Sequence, residues 1–193
     1  MVKRNGCTKA LVIVHGKSEF DIVKHIKSKL RIPIEIYQKN GGERSIEIQS
    51  ILDILNGANF KTKKNFLTEY PKIETDGKGN PINFRVFIIV DVDGNNKENV
   101  DRYLNKSMFK NHWLYNYVEP ILNDNNLEEV LNSIGYTAAK NNKEKKKYRK
   151  VFPVERGKQD MDTVISLRAA FKASNKSNFD ILLDYCLDNC PKF

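Results

Sequence analysis

The chain reads as an α/β protein built on a parallel sheet, and three observations lead there. Two apolar runs, Ala10–Val14 and Phe84–Val90 with Arg85 as its one interruption, are hydrophobic at consecutive positions rather than at alternate ones, as in strands covered on both faces. Segments with helical apolar spacing stand between and after such runs, and alternation of strand and helix implies a parallel sheet joined by right-handed crossovers. Both runs end in polar residues suited to chemistry, His15-Gly16-Lys17-Ser18-Glu19 and Asp91-Val92-Asp93-Gly94. The strand ends of such sheets are where ligands bind.

Taken in order, Ala10–Val14 is a buried strand. Ser18 is placed to cap a helix through Leu30, with Phe20, Ile22, Val23, Ile26 and Leu30 as its apolar stripe. Ile32–Tyr37 alternates like a second strand with Pro33 near its start. Gly41-Gly42 opens a loop, and Ser45–Leu55 reads as a second helix stopped by Asn56-Gly57. Residues 59–83 interrupt the pattern with a short helix and a mobile loop, Thr75-Asp76-Gly77-Lys78-Gly79-Asn80-Pro81. After the Phe84–Gly94 stretch comes a helix at Val100–Leu104, then an aromatic-rich stretch, Met108–Val118. Pro120-Ile121-Leu122 and Leu127–Ile134 look helical, and Gly135 is a stop. Val151–Val154 reads as a further strand, and Val164–Phe171 and Phe179–Leu187 as the last helices. Trp113, Tyr115 and Tyr117 belong to a packed core or to a partner surface.

With 193 residues and 40% hydrophobic content, the chain supports a single domain, 1–193, with insertions near 57–83 and 105–148. The net charge of +9 and pI near 9.3 favour an anionic partner, nucleic acid above all. The basic focus is Lys140–Lys150, where seven basic residues meet one acidic residue. Lys143, Lys145, Lys146, Lys147, Arg149 and Lys150, with Lys158 beyond, either bind phosphates or form a solvated loop. Cys7, Cys186 and Cys190 lack metal or disulfide-framework spacing, which fits free thiols and a cytoplasmic location. Ala10–Val14 is too short for a signal peptide or membrane span, and no membrane partner is expected.

In a parallel sheet the two polar strand ends share one rim. Asp91 and Asp93 there can share a hard divalent cation, Mg²⁺ or Mn²⁺, or else one of them caps the next helix. Glu19 lies one turn past Gly16 and can face the same rim, while Lys17 and the helix N-terminus favour an anion. Gly16 suits a sharp turn close to a phosphate. Gly16-Lys17-Ser18 is not a nucleotide-binding P-loop. That motif needs a glycine five positions before Gly16, where Leu11 stands.

Val14-His15-Gly16-Lys17-Ser18-Glu19 followed by Ile88-Ile89-Val90-Asp91-Val92-Asp93-Gly94 resembles the Toprim domain of topoisomerases, bacterial primases and small maturase ribonucleases. The match is strongest to its nuclease branch, the overcoming-lysogenization-defect-like and phage-defence Toprim proteins. The likeness covers roughly residues 9–56, 84–104 and 149–172. It implies a Toprim-like, Rossmann-like parallel sheet of about four strands flanked by helices, with helical insertions. It also implies metal-dependent cleavage of nucleic acid, DNA or RNA. In that family a Glu-Gly pair ends the first strand and an Asp-x-Asp ends a later one, and these hold Mg²⁺. A second Glu often follows three residues after the Gly. Glu19, Asp91 and Asp93 match as metal ligands, and Asp160 and Asp162 are possible additional residues, like Lys158. His15 replaces the family's first Glu, and a neutral imidazole suits Mn²⁺ or Zn²⁺ better than Mg²⁺. His15 then acts as general base or acid beside Lys17, or the metal preference has shifted, or chemistry is lost and binding kept. In the last case the chain is a catalytically degenerate module for nucleic acid, a nucleotide or a protein partner. In each case a protein partner or a homodimer is open.

Overall fold

Four short parallel strands carry the molecule: β1 (Ala10–Ile13), β2 (Ile34–Tyr37), β3 (Arg85–Asp91) and β4 (Val118–Asn123). The computed structural model describes residues 6–39, 45–92, 96–136, 151–154 and 157–192. Strand order is β2-β1-β3-β4, every pair parallel. Among the described residues seven α-helices flank the sheet: α1 (Lys17–Leu30), α2 (Ile51–Leu55), α3 (Lys63–Glu69), α4 (Lys97–Leu104), α5 (Leu127–Ser133), α6 (Met161–Ala173) and α7 (Asp180–Asn189). None is long and apolar enough to cross a membrane.

β1 is apolar throughout and β3 from Val86 to Val90, because each face of the sheet has its own helical cover. Ala10, Val12, Phe87, Ile89 and Ile121 point to one side, into a core with Ile22, Ile26, Leu131, Leu167 and Leu183. Leu11, Ile13, Val86, Ile88 and Val90 point to the other, against Ile51, Leu55, Phe66 and Tyr103. Truncating one such residue to Ala costs about 2–5 kcal/mol.

The layer assignment decides where a ligand fits. The chain leaves β1 through α1, which packs in the first core, and leaves β3 toward α4, whose Tyr103 lies in the second. β1 and β3 are neighbours whose onward connections diverge to opposite faces. That is the topological switch point of an open α/β sheet, and the binding crevice of such sheets lies there, at the carboxyl ends of the strands.

Several expected elements differ. Pro120-Ile121-Leu122 is not helical but the centre of β4. Its outer edge is satisfied by one side chain: Leu122 N–H donates to Asn178 Oδ1 at 2.7 Å, and Asn178 Nδ2 donates to the Pro120 carbonyl at 2.9 Å. An edge position tolerates a proline, since its missing N–H leaves no ladder bond unmade on the inner side. Val151–Val154 is correspondingly not a strand: Phe152 enters the core, and the Pro153 carbonyl accepts from His25 Nδ1 at 2.6 Å. The α1 cap is Gly16, not Ser18, whose hydroxyl instead donates to Glu128 Oε1 at 2.8 Å. Ser45–Leu55 shortens to a 3-10 turn, Ile48–Ser50, running into α2. In residues 59–83, α3 is capped by Thr62. The expected loop is a closed turn in which Asp76 Oδ1 accepts from the backbone of Lys78 and Asn80, both at 2.8 Å. Trp113 is packed against Phe66 and donates to the Phe60 carbonyl at 2.8 Å, in the manner of a core residue.

Candidate active site at the switch point

β1 and β3 run in register from Ala10 beside Arg85 to Ile13 beside Ile88. Carried past Ile13, that register sets Gly16 level with Asp91, so His15 and Asp91 flank the crevice. His15 Nε2 stands 3.7 Å from Asp91 Oδ2. The other ring nitrogen, Nδ1, lies 2.9 Å from the Ile46 carbonyl. A carbonyl only accepts, so Nδ1 carries the proton and Nε2 of the neutral ring is left as an acceptor facing Asp91.

Glu19, in the first turn of α1, folds back to the same rim. Its Oε2 accepts the Gly16 N–H at 2.9 Å, the returning half of a capping box. Gly16 has φ −154°, an extended conformation open to any residue. The glycine is suited to the spot by space: a Cβ there would stand 3.3 Å from Glu19 Oε2. The sharp turn expected of Gly16 is therefore absent, and close approach to a carboxylate takes its place.

Asp91 is steadied from β4. Asn123, fully buried and paired with Asp91 across the strands, donates Nδ2 to Asp91 Oδ1 at 3.0 Å. Ser177 fixes the amide by donating its hydroxyl to Asn123 Oδ1 at 2.8 Å.

Carboxylates dominate the electrostatics. Glu19 is 2% exposed, and burial, with Asp91 adding, pushes its pKa up to about 7 against the pull of His15. Asp91 is 6% exposed, and burial pushes it up to about 6 despite His15 and the Asn123 hydrogen bond, with Glu128 and Glu47 adding to the rise. Burial lowers His15, but Asp91 and Glu19, with the Ile46 carbonyl and Glu47, raise it by more, and the net shift is upward. This buried, negatively biased pocket favours added positive charge, whether a proton on His15 or a cation between the carboxylates.

The structure thus brings His15, Glu19 and Asp91 together, with Lys17 exposed at the first helical position beside them. Asp93 and the lysine run, Lys143, Lys145, Lys146, Lys147, Arg149 and Lys150, lie outside the described residues. Lys158, Asp160 and Asp162 are not at the crevice. Asp160 caps α6, accepting from Thr163 N at 3.1 Å, and pairs with Lys29 Nζ at 2.9 Å. Lys29 is ten residues along α1 from Glu19, about 15 Å away. Lys158 and Asp162 are exposed beside it.

Among the described residues, no group of three or more His, Cys, Asp and Glu side chains is arranged to hold a metal ion. The donors at the rim, one or two carboxylates, are the set Mg²⁺ takes when water and substrate phosphates complete its shell. On that chemistry the residues fit a lightly ligated hard cation and not a closed all-protein cage. Asn123, Ser177, Glu47 and Glu128 escape a motif-based reading. The one hint is the polar cluster Asn123–Asn126 directly after Ile121-Leu122, which marks a strand end as well as a turn.

In comparisons with protein-family models, with curated proteins and with solved structures, nothing matches the chain significantly.

Proposed function

We propose that the chain is a Toprim-type nuclease that cleaves phosphodiester bonds of nucleic acid with the aid of Mg²⁺ or Mn²⁺. The observation that carries the reading is the meeting of His15, Glu19 and Asp91 at the switch point of a parallel sheet. Asp91 and Glu19, joined by Asp93, would hold the cation, which neutralises charge developing on the phosphoryl group and activates water. The protein's own part is positional. Asn123 orients Asp91, and the Ile46 carbonyl orients His15 so that Nε2 faces the reacting centre and can move a proton. Lys17 and the positive end of α1 attract the phosphate.

Purified protein incubated with plasmid, single-stranded DNA and tRNA across Mg²⁺, Mn²⁺ and Zn²⁺ tests this. Cleavage should require metal and fall roughly a hundredfold or more in Asp91→Ala and in Asp93→Ala. Cleavage that survives in the double variant refutes the assignment.

One observation favours a second reading, a binding module without chemistry. Glu19, His15 and Asp91 each hold a structural hydrogen bond, to Gly16, Ile46 and Asn123. Calorimetry with Mn²⁺ and Mg²⁺ separates the two, since a binding module shows no metal site that Asp91→Asn abolishes.

A further inference from the structure

The outward face of α1 carries a row of cations. Lys17, Lys24 and Arg31 are each seven residues apart and all exposed. A seven-residue step brings a helix back to the same face with only about 20° of drift. The three cations therefore form one line about 21 Å long, from the first residue of α1 to its C-cap. Lys27, half-buried, flanks the line and lies 4.0 Å from Glu35. Lys24 sits over the Phe20 ring at 5.6 Å, which holds its stem against the helix. At the far end Lys24, Lys27 and Arg31 line a surface groove of about 590 Å³, floored by Ile32 and edged by Val154, 52% exposed.

We infer that this line is a track for the backbone of a nucleic-acid strand, leading from the switch-point crevice along α1 into the groove; the inference rests on the nuclease reading for what lies at its upper end. The charge suits a polyanion. Successive cations stand about 10 Å apart, and each that meets a phosphate releases condensed counterions. The face does not suit a lipid surface, because the apolar side of α1 (Ile22, Val23, Ile26, Leu30) is spent in the core and none of it remains to enter a bilayer. Contacts of this kind supply affinity and register without reading sequence.

The test is fluorescence anisotropy of the full chain with labelled single-stranded DNA, duplex DNA and RNA of equal length. It is run in EDTA across a salt series, comparing wild type with Lys24→Gln/Lys27→Gln/Arg31→Gln. The triple variant should bind roughly a hundredfold more weakly at 0.1 M salt, and its log K against log salt slope should be shallower by about two to three. Lys63→Gln/Lys64→Gln/Lys72→Gln, on the far side of the sheet, controls for net charge and should lose clearly less. Equal losses in the two triple variants, or an unchanged salt slope in the first, overturn the track. So does a first triple variant that keeps its nucleic-acid binding and loses co-sedimentation with phosphatidylserine vesicles instead. Because the assay excludes metal and leaves Asp91 intact, its failure leaves the cleavage reading standing. Metal-independent binding that persists when cleavage cannot be found leaves the track standing.

Discussion

Asn123→Ala probes the carboxylate site through a residue that touches no substrate. Asn123 is fully buried and makes two side-chain hydrogen bonds, to the Asp91 carboxylate at 3.0 Å and from Ser177 at 2.8 Å. The first is charge-assisted, worth about 1.5–3 kcal/mol, and the second is neutral, about 0.5–1.5 kcal/mol, so the variant should lose about 2–4 kcal/mol. The single tryptophan, Trp113, is packed against Phe66 and reports unfolding by fluorescence in urea. The midpoint should fall with the slope unchanged. Introduced into an Asp91→Asn background, the same change should cost less by about 1–2 kcal/mol, because the charged acceptor is already gone. Since an oriented ligand binds metal better than a loose one, metal-dependent cleavage should drop by about tenfold to a hundredfold. A loss under about 0.5 kcal/mol would mean that the Asn123–Asp91 contact does not hold the carboxylate in place.

Two further outcomes follow from the ends of α1. Gly16→Ala sets a methyl 3.3 Å from Glu19 Oε2 at a φ any residue adopts; stability should fall by less than about 1 kcal/mol, while a Mn²⁺ titration of cleavage shifts to higher metal. An unchanged titration would show that Glu19 plays no part in holding the cation. At the opposite end, hydrogen bonds from Thr163, then Lys29, draw the Asp160 carboxyl down to about 2 from its usual 3.8. A lowered carboxylate pKa stabilises the fold above the ordinary value, and that stability disappears as pH falls from about 4 to about 2. Asp160→Ala should therefore cost about 1 kcal/mol at pH 7, given the side chain's partial exposure, and little at pH 2. Urea midpoints at both pH values check it, and a pH-independent loss would point to packing instead.

The central strands and α1 were legible because their sequence periods are unambiguous: consecutive apolar residues for β1 and β3, a clean 3.6-residue stripe for α1. β4 was hidden. Its apolar run is short, Pro120 interrupts it, and the partner that completes it, Asn178, is far along the chain. Local pattern cannot report a strand whose edge is closed by a distant amide. At the crevice, His15, Glu19 and Asp91 announced themselves as polar residues at strand ends. Asn123 did not, because an asparagine before Asp124-Asn125-Asn126 has the look of a turn. Lys158, Asp160 and Asp162 were drawn toward the site by the resemblance alone; Asp160 caps α6 and ties it to Lys29, while Lys158 and Asp162 are exposed.

Ser177 and Asn178 are consecutive residues of the short connection between α6 and α7, and each performs a different service for β4. One steadies the amide that steers Asp91; the other plugs the open flank of the sheet. A nick or a deletion in those few positions would undo both together. The outermost strand would become a bare template for a neighbouring molecule to zip onto, while the aspartate beneath it lost its guide. The closing of the sheet edge and the placing of Asp91 rest on the same two neighbouring side chains.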